Sequence, residues 1–273
     1  MRVPSGYHSG VLLVGTSGWQ YRSWRGRFYP PDVPQRRWLE YYAGQFATVE
    51  VNNAFYRLPE HDTFVAWRDR TPADFRVAVK VNRYLTHVRR LREPADSVAL
   101  FLDRAAGLGA KLGPVLLQLP PSLRADAGAL DATLDAFGGR VRVAVEPRHE
   151  SWWTPAVRDT LTRHGAALCW ADRKGRPVTP LWRTADFGYL RLHEGVAAPR
   201  PRYGPAALRS WLARIRSAYG DGAPVYAYFN NDPGGAAIVD AAAFAALAGH
   251  LDLDVTRAPG RSEAARRVAT WQD

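Results

Sequence analysis

Seven apolar stretches of this 273-residue chain close on residues able to carry chemistry. Glu50 lies in TVEVN (48–52), Lys80 in FRVAVK (75–80) and Gln118 in PVLLQL (114–119). Glu146 ends VRVAVE (141–146), Asp172 ends AALCWAD (166–172), Arg191 and His193 lie in YLRLH (189–193), and Asn230 ends VYAYFN (225–230). Glu50 and Glu146 are candidates for base and acid, with Asp172 and His193 as further proton-transfer groups. Lys80 is one of only three lysines beside 34 arginines. Unlike guanidinium, its amine can lose its proton in a buried site, so it is a candidate proton donor, carbonyl-polarising cation or imine former. Arg148 and Arg191 suit bidentate capture of phosphate or carboxylate. Asn230 and Asn231 suit donation to developing negative charge. Trp19, Asn52, Gln118 and Trp152 complete the candidate substrate contacts.

Charge balance separates the chemical options. Glu50, Glu146 and Asp172 face Lys80, Arg148 and Arg191, an even match that suits an anionic substrate better than a divalent metal. If a metal binds, Glu146, His149, Asp172 and His193 are the candidate ligands. No glycine-rich dinucleotide fingerprint or P-loop occurs, so no cofactor is expected.

The elements that must position these groups follow from periodicity. Side chains alternate across a strand. Val49 and Val51 oppose Glu50, the valines of FRVAVK oppose Ala78 and Lys80, and Leu190 and Leu192 oppose Tyr189, Arg191 and His193. With VLLVG (11–15) there are eight strand-like runs. Amphipathic segments fall between most of them, including QRRWLEYYAGQF, DSVALFLDRAAGLG, ALDATLDAF and PAALRSWLARIRSAY. Pro155 and Pro205 suit helix starts, and AAIVDAAAFAALAG ends on glycine. Alternating strands and helices of this number predict an α/β fold, a (β/α)8 TIM-type barrel, with a doubly wound sheet as the alternative. Residues 173–188 show no helical pattern, so the sixth unit is expected to be irregular. In such a barrel the polar residues gather at the C-terminal mouth, where active sites sit. One domain is expected over 11–252, with a flexible arm at 1–10 and a mobile basic tail at 253–273.

The formal charge of +11 points to an anionic small molecule or nucleic acid, although an arginine-rich composition alone makes a basic protein. GWQYRSWRGRFYPP and RYLTHVRRLR interleave aromatics with arginines, the pattern of single-strand nucleic-acid binding or of a packed cap. Cys169 sits in an apolar run and reads as buried and inert. No apolar stretch approaches a membrane span and no signal-peptide core is present, so a cytoplasmic protein without membrane association is expected.

GTSGW (15–19), VNNAFYRLP (51–59), AVK with YLTHVRRL (84–91), QLPPS (118–122), EPRHESWW (146–153) and YFNNDPGG (228–235) together resemble the YecE-like family, domain of unknown function number 72. The resemblance spans roughly residues 11–250 and implies a (β/α)8-type barrel without implying an activity. Ala54 stands where that family usually has Thr, and Pro147 where it usually has Phe; neither change removes an ionisable group. The sequence thus leads to a metal-independent acid–base enzyme, of hydrolase or lyase type, using Glu50, Lys80 and Glu146 on a nucleic-acid fragment, nucleotide or sugar phosphate. A metal-dependent phosphodiesterase and a non-enzymatic single-strand binding module are the alternatives.

Overall fold

Ten strands and seven α-helices alternate along a computed structural model that describes residues 10–220, 222–260 and 264. The strands are β1 (Leu12–Thr16), β2 (Thr48–Val51), β3 (Arg76–Lys80), β4 (Leu112–Gln118), β5 (Val143–Glu146), β6 (Ala167–Leu168), β7 (Trp170–Arg173), β8 (Arg176–Pro177), β9 (Gly188–Leu192) and β10 (Val225–Phe229). The helices are α1 (Trp38–Gln45), α2 (His61–Asp69), α3 (Pro94–Ala105), α4 (Ala127–Phe137), α5 (Pro155–Arg163), α6 (Pro205–Tyr219) and α7 (Ala236–Gly249). The helix boundaries have local causes. Asp126 caps α4 by accepting from Ala129 N, and Gly138 ends it in the left-handed region at φ 58°. Thr154 and Pro155 start α5 in the same N-cap and N1 roles.

The strands pair in parallel, apart from the short antiparallel β7–β8 hairpin, in two five-stranded sheets. One has the order β1-β10-β9-β7-β8 and the other β2-β3-β4-β5-β6. Alternation divides their faces. Val49, Val51, Val77, Val79, Val115, Leu117, Val143 and Val145 join the helices in an outer core. Leu13, Ala78, Leu116, Ala144, Tyr189 and Tyr228 form a separate inner core drawn from both sheets.

The parallel α/β expectation is met, but the ladders do not run round as one closed sheet. At one seam β1 approaches β2 through the single parallel bridge Ser17–Glu50. At the other the chain passes from β6 to β7 through Cys169, whose N–H donates to Val145 O at 2.8 Å. Gly15 makes the first seam possible: a Cβ there would lie 2.3 Å from Thr48 O. Gly15→Ala is therefore expected to cost about 1–3 kcal/mol by overpacking, read from urea unfolding. Unchanged stability would show that the seam yields freely.

The sixth unit is irregular, and its chemistry shows why a helix is dispensable there. Residues 174–187 form no helix. Thr179 Oγ1 accepts from Ala171 N at 3.0 Å, and Thr184 Oγ1 accepts from Leu168 N at 2.9 Å while donating to Ala166 O. Coil hydroxyls thus satisfy backbone groups that a ladder would otherwise occupy. Residues 1–9 of the expected arm lie outside the described residues, as do 261–263 and 265–273 of the expected tail. The start of that tail is bonded to β1: Leu12 N donates to Asp254 O, and Thr256 N donates to Leu12 O.

Candidate active site

Strand ends and the loops after them line a cleft of about 530 Å³, with Asn52 from the turn after β2, Lys80 from β3, Gln118 from β4, Arg148 after β5, Arg191 from β9 and Asn230 after β10. Phe55, Tyr56, Arg83 and His87 complete the wall. The register places these groups together: Gln118 pairs with Glu146 across β4–β5, and Arg191 with Tyr228 across β9–β10.

At the floor, Arg191 is clamped between two carboxylates. Its Nε and Nη2 donate to Glu50 Oε1 at 3.2 and 2.9 Å, and its Nη1 donates to Glu146 Oε2 at 2.7 Å. Glu50 also accepts from Ser17 Oγ at 2.7 Å and Tyr189 OH at 2.6 Å. Glu146 accepts from Gln118 Nε2 at 2.9 Å, Arg148 Nη2 at 3.2 Å and His193 Nε2 at 3.1 Å. Both glutamates are at most 1% exposed. Burial alone would raise their pKa values, but Arg191, with Tyr189 and Ser17 at Glu50 and His193 and Arg148 at Glu146, outweighs it. Glu50 is held below the ordinary carboxylate range and Glu146 well below it. The expectation for these two was base and acid; the structure shows each as a carboxylate whose lone pairs are engaged by Arg191 and its neighbours.

Lys80 is placed differently. It is 8% exposed, lines the cleft, and carries its Nζ 4.0 Å from the centroid of the Phe55 ring. Among the described residues no carboxylate lies within 4.0 Å of that nitrogen. Burial and the nearby Arg191 lower its pKa to about 8 against the pull of Glu50 and Glu146. The Phe55 ring face favours the ammonium form. Lys80 is thus a titratable amine at the floor, not half of a salt bridge.

His193 sits behind Glu146, with 19% of its side chain exposed. Its Nδ1 lies 3.0 Å from Asn230 Nδ2 and its Nε2 3.1 Å from Glu146 Oε1, so the ring bridges the two. Asp172 does not face the cleft. Its carboxylate accepts from His193 N at 2.7 Å and from Tyr203 OH at 2.6 and 2.7 Å, fixing the turn after β9. Burial raises its pKa to about 6 against those donors.

Several expected contacts lie elsewhere. Trp19 is 3% exposed and edge-on to Trp67, and Trp152 is fully buried with Nε1 donating to Leu123 O at 2.8 Å. Both are closed into the core because the loops carrying them fold back on the barrel-like body. Asn231 is 1% exposed and donates to Asp240 Oδ2 and Pro201 O. His149 turns away from Glu146: its Nδ1 accepts from Ser151 N and caps a short 3-10 turn. The alternative ligand set therefore does not converge, and among the described residues no group of three or more His, Cys, Asp or Glu side chains is placed to hold a metal ion.

The aromatic–arginine loops also divide. Trp24, Phe28 and Tyr29 are buried, and Tyr29 stacks on Trp38 at 4.4 Å, so the first loop is a packed cap. The second loop contributes Arg83 and His87 to the cleft and leaves Tyr84 52% exposed, and Tyr56, which lines the cleft in the turn after β2, is 76% exposed. Sequence reasoning missed Phe55, Tyr56 and His87 as cleft residues, and had Arg83 only as one arginine of the loop RYLTHVRRLR. Their signal was position alone, since each follows a strand whose inward polar end had been recognised. Among the described residues no helix is long and apolar enough to cross a membrane.

Comparison with known proteins adds family and fold. The family model described as "Protein of unknown function DUF72" matches residues 13–263. UPF0759 protein YecE of Escherichia coli K12 is 33% identical over 128 residues, 46% of this chain and 47% of YecE, so the match spans about half the length of that relative. UPF0759 protein YunF of Bacillus subtilis 168 is 24% identical over 257 residues, 82% of this chain and 90% of YunF. A solved DUF72 family protein from Thermotoga maritima superposes with a TM-score of 0.76 at 25% identity, covering 88% of this chain and 99% of that one. D-allulose 3-epimerase from Methylomonas sp. shares the fold, with a TM-score of 0.54 at 12% identity, covering 97% and 98% of the two chains.

Proposed function

Because the chain belongs to the DUF72 family of proteins of unknown function, we propose a function from the cleft itself: metal-independent acid–base catalysis on a small anionic substrate. We read the two sheets as arcs of one (β/α)8 barrel, with the cleft at its C-terminal mouth. The observation that carries the functional reading is Lys80: a buried amine at the cleft floor, free of any carboxylate within 4.0 Å among the described residues. Lys80, Arg83, Arg148 and Arg191 line the same cavity, while Glu50 and Glu146 lie beneath it with their lone pairs occupied. This arrangement attracts a phosphate or carboxylate and repels a divalent cation.

In this reading Arg148 and Arg191 hold the anion, and Asn52, Gln118 and Asn230 orient its polar groups. Lys80 exchanges the proton in a lyase or hydrolase step. A group titrating near working pH is suited to both halves of such an exchange. Glu50 and Glu146 are positioning residues. Tyr56, a cleft residue 76% exposed, favours a second reading, in which the mouth stacks the bases of a single strand.

The test is calorimetric titration with inorganic phosphate and with a short oligonucleotide. Phosphate is expected to bind, more weakly as salt rises, and Arg148→Ala should weaken it roughly tenfold, the loss of about 1.4 kcal/mol, while leaving the melting temperature nearly unchanged. Arg148 is the suitable probe because 39% of its side chain is exposed. Absence of phosphate binding, or binding indifferent to Arg148, would overturn the anion site. Oligonucleotide binding that survives Lys80→Met unchanged would favour the second reading.

A further inference from the structure

The chain's three lysines occupy three different chemical settings. Lys111 Nζ donates to the carbonyls of Arg68 and Thr71 and to Thr71 Oγ1, so its amine is committed to closing the α2 terminus. Lys174 stands exposed in the β7–β8 turn. Lys80 alone is buried against a cavity wall, with an aromatic ring on one side and fixed guanidinium groups near it. Simple charge pairing would bring a carboxylate to it, and two are available in the same interior. Instead Arg191 takes both of them. The amine is left facing a cavity whose walls match a substrate anion.

We propose that Lys80 forms an imine with the aldehyde or ketone carbonyl of a substrate that also carries a phosphate or carboxylate. The inference rests on the anion-binding reading above and names the substrate class. A lysine amine is made nucleophilic by an apolar surround or by neighbouring cations, and this site has both. The Nζ lone pair attacks the carbonyl carbon, a C–N bond forms, and the carbonyl oxygen takes up a proton. The nitrogen gives up one proton, the carbinolamine hydroxyl takes up a second, the C–O bond breaks and the oxygen leaves as water, giving the protonated imine. The net change is amine, carbonyl and one proton to protonated imine plus water, without oxidation or reduction.

In this proposal His87 moves these protons. It lines the cleft and stands edge-on to the Phe55 ring at 4.9 Å, the ring that also contacts Lys80. Its Nδ1 is engaged with Thr86 Oγ1 at 2.8 Å. Burial, then Lys80 and Arg83, lower its pKa and keep the imidazole neutral beside the amine. The protonated imine withdraws electrons from the adjacent carbon, so bonds at that carbon become breakable. A lyase or isomerase step on a phosphorylated or carboxylated carbonyl compound is the corresponding reaction class.

The probe is glycolaldehyde phosphate, with unphosphorylated glycolaldehyde as its control. The full chain is incubated with each, reduced with borohydride, and mapped by peptide mass spectrometry. The expected result is one adduct per chain on Lys80, with Lys111 and Lys174 labelled at least tenfold less. Inorganic phosphate and Arg148→Ala should each suppress that adduct, and the unphosphorylated aldehyde should label Lys80 at least tenfold less than glycolaldehyde phosphate does. Labelling spread evenly over the lysines, or absent from Lys80, would overturn the imine inference. If phosphate binds by calorimetry while Lys80 stays unlabelled, the imine fails and the acid–base reading stands. Selective labelling of Lys80 that phosphate does not suppress would support the imine and remove the anion site.

Discussion

Replacing Arg191 by methionine is expected to destabilise the fold by about 3–5 kcal/mol, because it leaves buried carboxylates without their counter-charge. The Arg191 side chain is 2% exposed and contributes three of the hydrogen bonds that hold Glu50 and Glu146. Methionine approximates its length but answers neither acid. The pH dependence should also invert. In the parent, both glutamates have lowered pKa values, so the stability they confer is present above the ordinary carboxylate range and lost as pH falls through their folded values. In Arg191→Met, desolvation is no longer opposed by the guanidinium and raises both, so the folded state takes up protons that the unfolded chain does not. The variant should therefore gain stability as pH is lowered from 7 toward 5, where the parent does not. Urea unfolding at several pH values measures both effects. A variant within 1 kcal/mol of the parent, with the same pH slope, would show that the buried triad is not what holds the strand ends together.

Lys80→Met is expected to act in the opposite direction, stabilising the protein while removing the imine formation proposed for the cleft. The folded amine titrates near 8 rather than at its ordinary 10.5. That gap corresponds to roughly 3 kcal/mol held against folding when the amine is charged. The cost is fully present below about pH 8, and it fades toward pH 10.5 as the unfolded amine also loses its proton. Parent stability should thus rise across that window. The methionine variant should be more stable at pH 7, lack the rise, and converge on the parent near the upper end. Phosphate affinity and borohydride-trapped adducts should fall at least tenfold in the same protein. A variant less stable at pH 7, with the rise intact, would mean that Lys80 serves the fold and not the cleft. A residue whose removal stabilises the structure is retained for another reason.

What the sequence made legible is the direction of side chains. A strand's period of two assigns Val49, Val51, Val77 and Val79 to one face and Glu50, Ala78 and Lys80 to the other without knowledge of the fold. The inner and outer cores separate along that line. Helix α2 escaped because HDTFVAWRD is short and buries only Phe64 and Trp67, too few positions to reveal a period. The irregular sixth unit was visible as a missing pattern, though Thr179 and Thr184 as its substitutes were not.

Roles within the site were less legible than membership. Glu50, Lys80, Glu146, Arg191 and His193 were found by face and strand end, yet their pairings depend on how far each side chain reaches across the interior. Arg191 spans both carboxylates because its fork is long and planar. That single fact commits the lone pairs of both glutamates to Arg191 and leaves Lys80 without a carboxylate within 4.0 Å among the described residues. Trp19 and Trp152 show the complementary difficulty. Loops after strands fold either over the mouth or back onto the body, and aromatic composition is the same in both cases.

The most direct test of the central claim is an NMR titration of lysine side chains labelled at Cε, with and without phosphate. Only three resonances exist to assign, and Lys80→Arg identifies the one that matters. The structure predicts that Lys80 titrates near 8 in the free protein and that phosphate moves its midpoint upward, because a bound anion favours the ammonium form. A Lys80 midpoint near its ordinary value, unmoved by phosphate, would contradict both the free amine and the anion beside it.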